Sequence, residues 1–217
     1  MLRHLIFDLD GTLVDSCAIC IEILEGMLAE RGNTRKIDPE FARPWMSHGG
    51  QKMVMALLGD DCGDPAQELA EFRRRYAVTQ TRVETLFNHV ATSLRSLHRQ
   101  GFVLSICSNK PQNLVDKVLE DTGLAPLFQS VVGSRAGVAP KPAPDLLDLV
   151  LADLGASPDH CLFVGDSELD HAVADARGMP FLFLTHGYAD PDYRPDPAMS
   201  YDCFGELARA VMERAHG

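Results

Sequence analysis

The sequence predicts an α/β protein with a Rossmann-like parallel five-stranded core sheet and an inserted all-α domain, and three observations carry that prediction. Five apolar runs, Leu2 to Phe7, Phe102 to Cys107, Phe128 to Val132, Cys161 to Val164 and Phe181 to Leu184, have the near-continuous hydrophobicity of strands buried on both faces. Segments with helical spacing alternate with them, at Val90 to Gln100, Gln112 to Asp121, Ala143 to Leu154 and Leu169 to Arg177, as in a parallel sheet covered by helices. The interval between the first two runs is too long for one crossover, and it holds helix-like stretches at Cys17 to Arg31, Gln51 to Leu58 and Ala66 to Thr79, separated by Gly and Pro.

These segments divide the chain into a core of residues 1–15 and 82–217 and a helical insertion of residues 16–81. The stretch from Tyr188 to Ser200, with Pro191, Pro195 and Pro197, reads as a surface excursion before a last helix from Phe204. A content of 46% hydrophobic and 24% charged residues is that of a globular chain, since a disordered one is poorer in apolar residues. No apolar run approaches the roughly 18 residues of a membrane span, and the first residues begin a strand pattern instead of a signal peptide, so a cytoplasmic protein is expected. The net charge of −11 opposes nucleic acid and membrane surfaces as partners, and a small anionic substrate then requires a local cationic site. Cys17, Cys20, Cys62, Cys107, Cys161 and Cys203 lack the dense spacing of a disulfide scaffold. Cys17 and Cys20 form a CxxC inside an apolar helical run without a second pair, which favours core packing over zinc or redox chemistry.

The residues that carry chemistry follow the strands. In Phe7-Asp8-Leu9-Asp10-Gly11, strand alternation points Asp8 and Asp10 the same way, and Gly11 allows a sharp turn. Taken alone, DxDG is also an ordinary strand-ending turn. Ser108 and Asn109 end the second run and can donate to phosphate oxygens in the crevice where parallel sheets bind ligands, although Asn109 also suits a helix N-cap before Pro111. Lys141 stands between Pro140 and Pro142 at a helix start, where the dipole favours anions, so an anion is expected beside it unless it is a plain surface lysine. Asp166 follows Val164-Gly165 at the end of the fourth run, with Asp170 one turn later on the same helical face; N-capping explains one of these acids but not acids at the ends of two strands. Carboxylates that converge in one crevice repel one another unless a cation lies among them. An all-oxygen set without a His or Cys cluster suits magnesium better than zinc.

Together DLDGTLVDS, SICSN, Lys141-Pro142-Ala143-Pro144-Asp145 and VGDSELD resemble the four ordered motifs of the haloacid dehalogenase-like hydrolase superfamily, and the match spans the chain. The likeness is greatest to its phosphoglycolate-phosphatase-like branch, whose members carry a helical cap after the first motif. Ser47-His48-Gly49-Gly50 is similar to the cap loop of that branch. The resemblance implies a magnesium-dependent phosphatase for a small phosphorylated metabolite, with 2-phosphoglycolate the first candidate and a monomer or homodimer as the assembly. It implies Asp8 as nucleophile, Asp10 as general acid and base, and Ser108, Asn109 and Lys141 as phosphate-binding residues. Magnesium would be held by Asp8, the Asp10 backbone carbonyl and Asp166, while Asp170 would act through water or by orienting Lys141.

The second aspartate, Asp10, favours phosphoryl transfer over carbon–halogen displacement. By the same resemblance His48, Gly49, Gly50 and Lys52 are candidates for substrate contact as the cap closes. Phosphonate-cleaving relatives use a cap lysine to form a Schiff base, but Lys52 fits the solvent face of an amphipathic helix, which favours the plainer reading. Trp45 beside Pro44 reads as cap packing. Where many members have a Pro-Gly pair on re-entering the core, this chain has Glu84-Thr85-Leu86-Phe87-Asn88-His89. Two other functions fit the same residues: a sugar-phosphate mutase of the superfamily, and a binding module without turnover.

Overall fold

Strands β1 (His4–Phe7), β2 (Val103–Pro111), β3 (Phe128–Ser134), β4 (Cys161–Gly165) and β5 (Phe181–Leu184) grow from the five apolar runs, because side chains such as Leu5, Ile6, Leu104, Phe163 and Leu182 are buried on whichever face they point to. This is a computed structural model that describes residues 2–216. Within the sheet the strand pairings are parallel, in the order β3-β2-β1-β4-β5 followed by a sixth strand, β6 (Ser200–Tyr201). The sheet has six strands where five were expected: β6 pairs Ser200 with Phe183 and Tyr201 with Leu184. Two half-buried residues at a sheet edge leave no hydrophobic signature, and backbone pairing alone makes them a strand. Phe7 lies in register with Ile106 of β2 and with Val164 of β4. The strand order turns at β1, with β2 and β3 on one side and β4 to β6 on the other, which is the place in an α/β sheet where the carboxyl ends open a ligand crevice.

The chain divides into two compact units, Met1–Asp15 with Arg82–Gly217, and Ser16–Thr81. The second unit is helical: α1 (Cys17–Glu30), α2 (Pro39–Ala42), α3 (Gly50–Leu58) and α4 (Pro65–Tyr76). Helix α1 buries Ile19, Ile23, Leu24, Met27 and Leu28, and Cys17 and Cys20 lie buried in the same helix as free thiols. Helix α4 starts where Asp64 accepts from the backbone N–H groups of Ala66 and Gln67. Arg31 Nη2, beyond the end of α1, donates to Glu68 Oε2 of α4 at 2.6 Å, a partly buried pair between two helices of the unit.

In the other unit α5 (Val90–Arg99), α6 (Gln112–Asp121), α7 (Asp145–Leu154), α8 (Glu168–Asp175) and α9 (Phe204–His216) complete the strand–helix alternation. Their apolar stripes, such as Leu94 and Leu97 of α5 and Leu146, Leu147 and Val150 of α7, are buried. The re-entry segment that lacks Pro-Gly is held by the backbone: Val14 bridges Leu86, Asp15 N donates to Thr85 O at 2.8 Å and Phe87 N to Leu13 O at 3.1 Å. His89 ends this segment in the left-handed region at φ 69°, an uncommon conformation for a residue with a Cβ. Among the described residues no helix is long and apolar enough to cross a membrane. Phe163→Ala, which empties a fully buried ring site in β4, is expected to lower unfolding free energy by about 3–5 kcal/mol. Asp64→Ala is expected to lower it by about 1 kcal/mol through loss of the α4 cap, both read from urea unfolding curves.

Candidate active site

Beyond Phe7 the chain stays beside β4, because Asp8 N donates to Val164 O at 3.0 Å, and this holds the Asp8 carboxylate at the carboxyl end of the sheet. Gly11 then turns at φ 86°, and Gly11 N donates to Val14 O at 2.9 Å. A Cβ on Gly11 would stand 2.2 Å from Asp166 Oδ2, so glycine is required for the turn and for the approach of Asp166. Asp166, the first residue after β4, has both oxygens engaged. Thr12 Oγ1 donates to Oδ1 at 2.6 Å, and the backbone N–H of Tyr188, in the loop after β5, donates to Oδ2 at 2.7 Å. Gly187 admits that loop, since a Cβ there would come within 2.3 Å of three Asp166 atoms.

Lys141 is the junction of the site. Its buried Nζ donates to Asp8 Oδ1 at 2.7 Å, Asp170 Oδ1 at 2.6 Å and Cys107 O at 2.9 Å, one acceptor for each ammonium hydrogen. The anion expected near this lysine is therefore a pair of carboxylates. Asp170 contacts Lys141 directly through one oxygen; its other oxygen accepts from Ser167 Oγ at 2.7 Å in the capping box that starts α8. Asn109 does not cap a helix, since α6 begins at Gln112 with Pro111 at its N-cap. Its Oδ1 accepts from Lys141 N at 2.7 Å and its Nδ2 donates to Lys141 O at 3.0 Å, because the loop carrying Lys141 passes beside the end of β2 and presents its backbone groups to the amide. Ser108 is buried at the end of β2, where its Oγ accepts from Lys110 N at 3.3 Å.

The Asp10 carboxylate stands apart from this cluster, paired with Lys110 Nζ at 3.0 and 3.1 Å. Sequence reasoning passed over Lys110, Thr12 and Tyr188. Thr12 lies inside DLDGTLVDS and Lys110 directly follows SICSN, the signal that was available; Tyr188 reaches Asp166 through a backbone N–H, which no side-chain pattern announces.

Asp8, Asp166 and Asp170 offer carboxylate oxygens that lie within 4.8 Å of one another, and among the described residues one ammonium, Lys141, pairs with them, which leaves an excess of negative charge. Burial pushes Asp8 up to about 7, against the pull of Lys141 and with repulsion from Asp170 and Asp10 adding to it. Burial, then Asp170 and Asp8, also raise Asp166 well above the ordinary carboxylate range, and the bonds from Thr12 and Tyr188 oppose the rise. Burial would weaken the charged form of Lys141, but Asp170 and Asp8 reverse that and hold the ammonium protonated. The donor set is all oxygen and strained by like charge, so a hard divalent cation fits it chemically.

The residues His48, Gly49, Gly50 and Lys52 belong to the helical unit and not to the acidic cluster. His48 is exposed, with Nδ1 2.7 Å from Pro44 O; Gly49 turns at φ 87° before α3, and Lys52 is exposed in the first turn of α3. Trp45 packs beside Phe41 and His48, with ring centroids 6.5 and 5.4 Å away.

The family model described as haloacid dehalogenase-like hydrolase matches residues 5–184, a span that holds every core motif. The phosphoglycolate phosphatase of Salmonella paratyphi A is 33% identical over 97% of this chain and 92% of its own length. A crystal structure of a predicted phosphoglycolate phosphatase from Haemophilus somnus superposes with a TM-score of 0.80 at 25% identity, covering 97% of this chain and 98% of that one. CbbY from Rhodobacter sphaeroides, solved in complex with phosphate, shares the fold at a TM-score of 0.77 and 20% identity, over 95% of this chain and 96% of its own. With motifs, fold and relatives in agreement, the chain belongs to the haloacid dehalogenase-like hydrolase family.

Proposed function

We propose that this hydrolase is a magnesium-dependent phosphatase that transfers the phosphoryl group of a small phosphomonoester to Asp8 and then to water, with 2-phosphoglycolate the first substrate to test. The observation that carries the reading is the cluster itself: a buried carboxylate, Asp8, fixed by a buried lysine at 2.7 Å and set beside Asp166 and Asp170. The 33% identical relative, named a phosphoglycolate phosphatase, supports the substrate.

In this mechanism the Asp8 oxygen not bonded to Lys141 attacks phosphorus, and the ester P–O bond breaks as the Asp8 O–P bond forms. Asp10 gives its proton to the departing alkoxide, then takes one from the water that attacks phosphorus and frees Asp8. The sum is ester plus water giving alcohol plus inorganic phosphate. Lys141 keeps Asp8 in one orientation and carries positive charge to the phosphoryl oxygens, and Ser108 donates to them. Asn109 and Asp170 act on Lys141, one on its backbone and one on its ammonium. Magnesium, held by Asp8, the Asp10 carbonyl and Asp166, would offset the charge that otherwise opposes an anionic nucleophile meeting an anionic phosphate, on the order of 4 kcal/mol per charge pair at about 4 Å and an effective dielectric near 20. Residues Ser16–Thr81 are read as the cap, with His48, Gly49, Gly50 and Lys52 as candidates for leaving-group recognition.

Asp8→Asn is expected to lower phosphate release at least about 10³-fold without loss of fold, measured by a phosphate assay beside circular dichroism. Full activity in that variant would overturn the mechanism. Chelation should abolish activity reversibly, with magnesium restoring it. The pH dependence of stability has a defined sign. Asp8 holds its proton up to about 7 in the folded chain, against an ordinary value of 3.8, so the metal-free fold is most stable below that ordinary value and loses this contribution as pH rises towards 7. Magnesium binds the ionised cluster, so its increase in melting temperature is expected to be larger at pH 8 than at pH 5; equal shifts at both would count against a metal on Asp8 and Asp166.

A further inference from the structure

We infer that Lys110 is the specificity-determining cation of this site, selecting phosphomonoesters whose alcohol carries a carboxylate on the carbon next to the ester oxygen. The inference rests on the reading that Asp10 serves the leaving group.

The two lysines of the site are engaged differently. Lys141 directs its three hydrogens to Asp8, Asp170 and Cys107 O, so its charge serves the nucleophile. Lys110 contacts both oxygens of Asp10, at 3.0 and 3.1 Å, so its charge lies on the side where the alcohol departs. Its side chain is 8% exposed while that of Asp10 is 25% exposed, which sets a nearly desolvated ammonium behind a more open carboxylate. The end of β2 fixes this placement: pairing with β3 is irregular between Cys107 and Pro111, and Ser108 Oγ accepts from Lys110 N.

An ester oxygen that takes a proton from Asp10 lies about 2.7 Å from one Asp10 oxygen, and hence within about 6 Å of Lys110 Nζ. A carboxylate one carbon away from that oxygen can reach the ammonium. A neutral alcohol has nothing to place there. The protein carries −11 overall and the cluster beside Asp8 is itself acidic, so a substrate with a second negative charge needs a cation at its leaving end. Lys110 supplies it from a site poor in water, where a charge-assisted hydrogen bond discriminates most strongly.

The test compares 2-phosphoglycolate with p-nitrophenyl phosphate, whose leaving group bears no carboxylate, in wild type, Lys110→Gln and Lys110→Arg at saturating magnesium. Wild type should favour 2-phosphoglycolate in kcat/KM. Lys110→Gln should reduce that preference about 10²-fold, chiefly by raising KM for 2-phosphoglycolate, and Lys110→Arg should retain most of it. Thermal melting checks the fold, and Lys110→Met, which keeps the packing of the stem, replaces the glutamine variant if that one unfolds. An unchanged preference in the neutral variant overturns the inference while the phosphatase reading stands. Equal losses on both substrates through kcat also overturn it, because Lys110 would then act only by positioning Asp10. Phosphate release without any wild-type preference for the carboxylate ester defeats the substrate reading, and the inference with it.

Discussion

The ammonium of Lys141 is the constraint on which the site depends. Three pieces of the chain distant in sequence, the residue after β1, the middle of β2 and the first turn of α8, each send it one acceptor: Asp8, the Cys107 carbonyl and Asp170. Removing a cation and two anions from water costs several kcal/mol per ion, and the arrangement is stable because every hydrogen of the ammonium is bonded at 2.6 to 2.9 Å. Loss of one member would leave the others buried without compensation. The backbone clamp of Asn109 on Lys141 and the capping box on Asp170 follow from the same need, since a buried charge must be approached from a fixed direction.

Even so, the charges do not balance. Among the described residues Asp166 lies beside Asp8 and Asp170 with no ion pair to an ammonium, and its oxygens accept from the Thr12 hydroxyl and the Tyr188 backbone N–H. Burial therefore raises Asp8 and Asp166 together, and the fold carries an electrostatic deficit that a divalent cation would relieve. Close packing makes that deficit unavoidable. Gly11 and Gly187 have hydrogen where any other residue would strike Asp166, so two loops close on the carboxylate and water is kept from it. Asp10 and Lys110 form a second, more exposed charge pair, separate from the contacts of Lys141.

Much was legible in the residues alone. Strands buried on both faces must be apolar throughout, so β1 to β5 announced themselves within a residue or two at most ends, and the acids and lysine that follow them are conspicuous by their position after such runs. β2 is the exception, since it continues to Pro111 through polar residues that only its pairing with β3 makes a strand. Strand alternation placed Asp8 and Asp10 on one side, yet the two carboxylates take different cations.

The linear order of residues thus determined the α/β alternation, the inserted helices and the acids that follow the carboxyl ends of β1 and β4, because periodicity and strand ends are local properties of a chain. Tertiary structure decided which side chain meets which: Asn109 bonding the Lys141 backbone, Lys110 bonding Asp10, the Tyr188 N–H reaching Asp166 and two residues of β6 joining the edge. Each of these joins groups that the sequence separates by up to 100 residues, and their pairing depends on distances of a few tenths of an ångström set by the packing of the whole sheet, which no local pattern encodes.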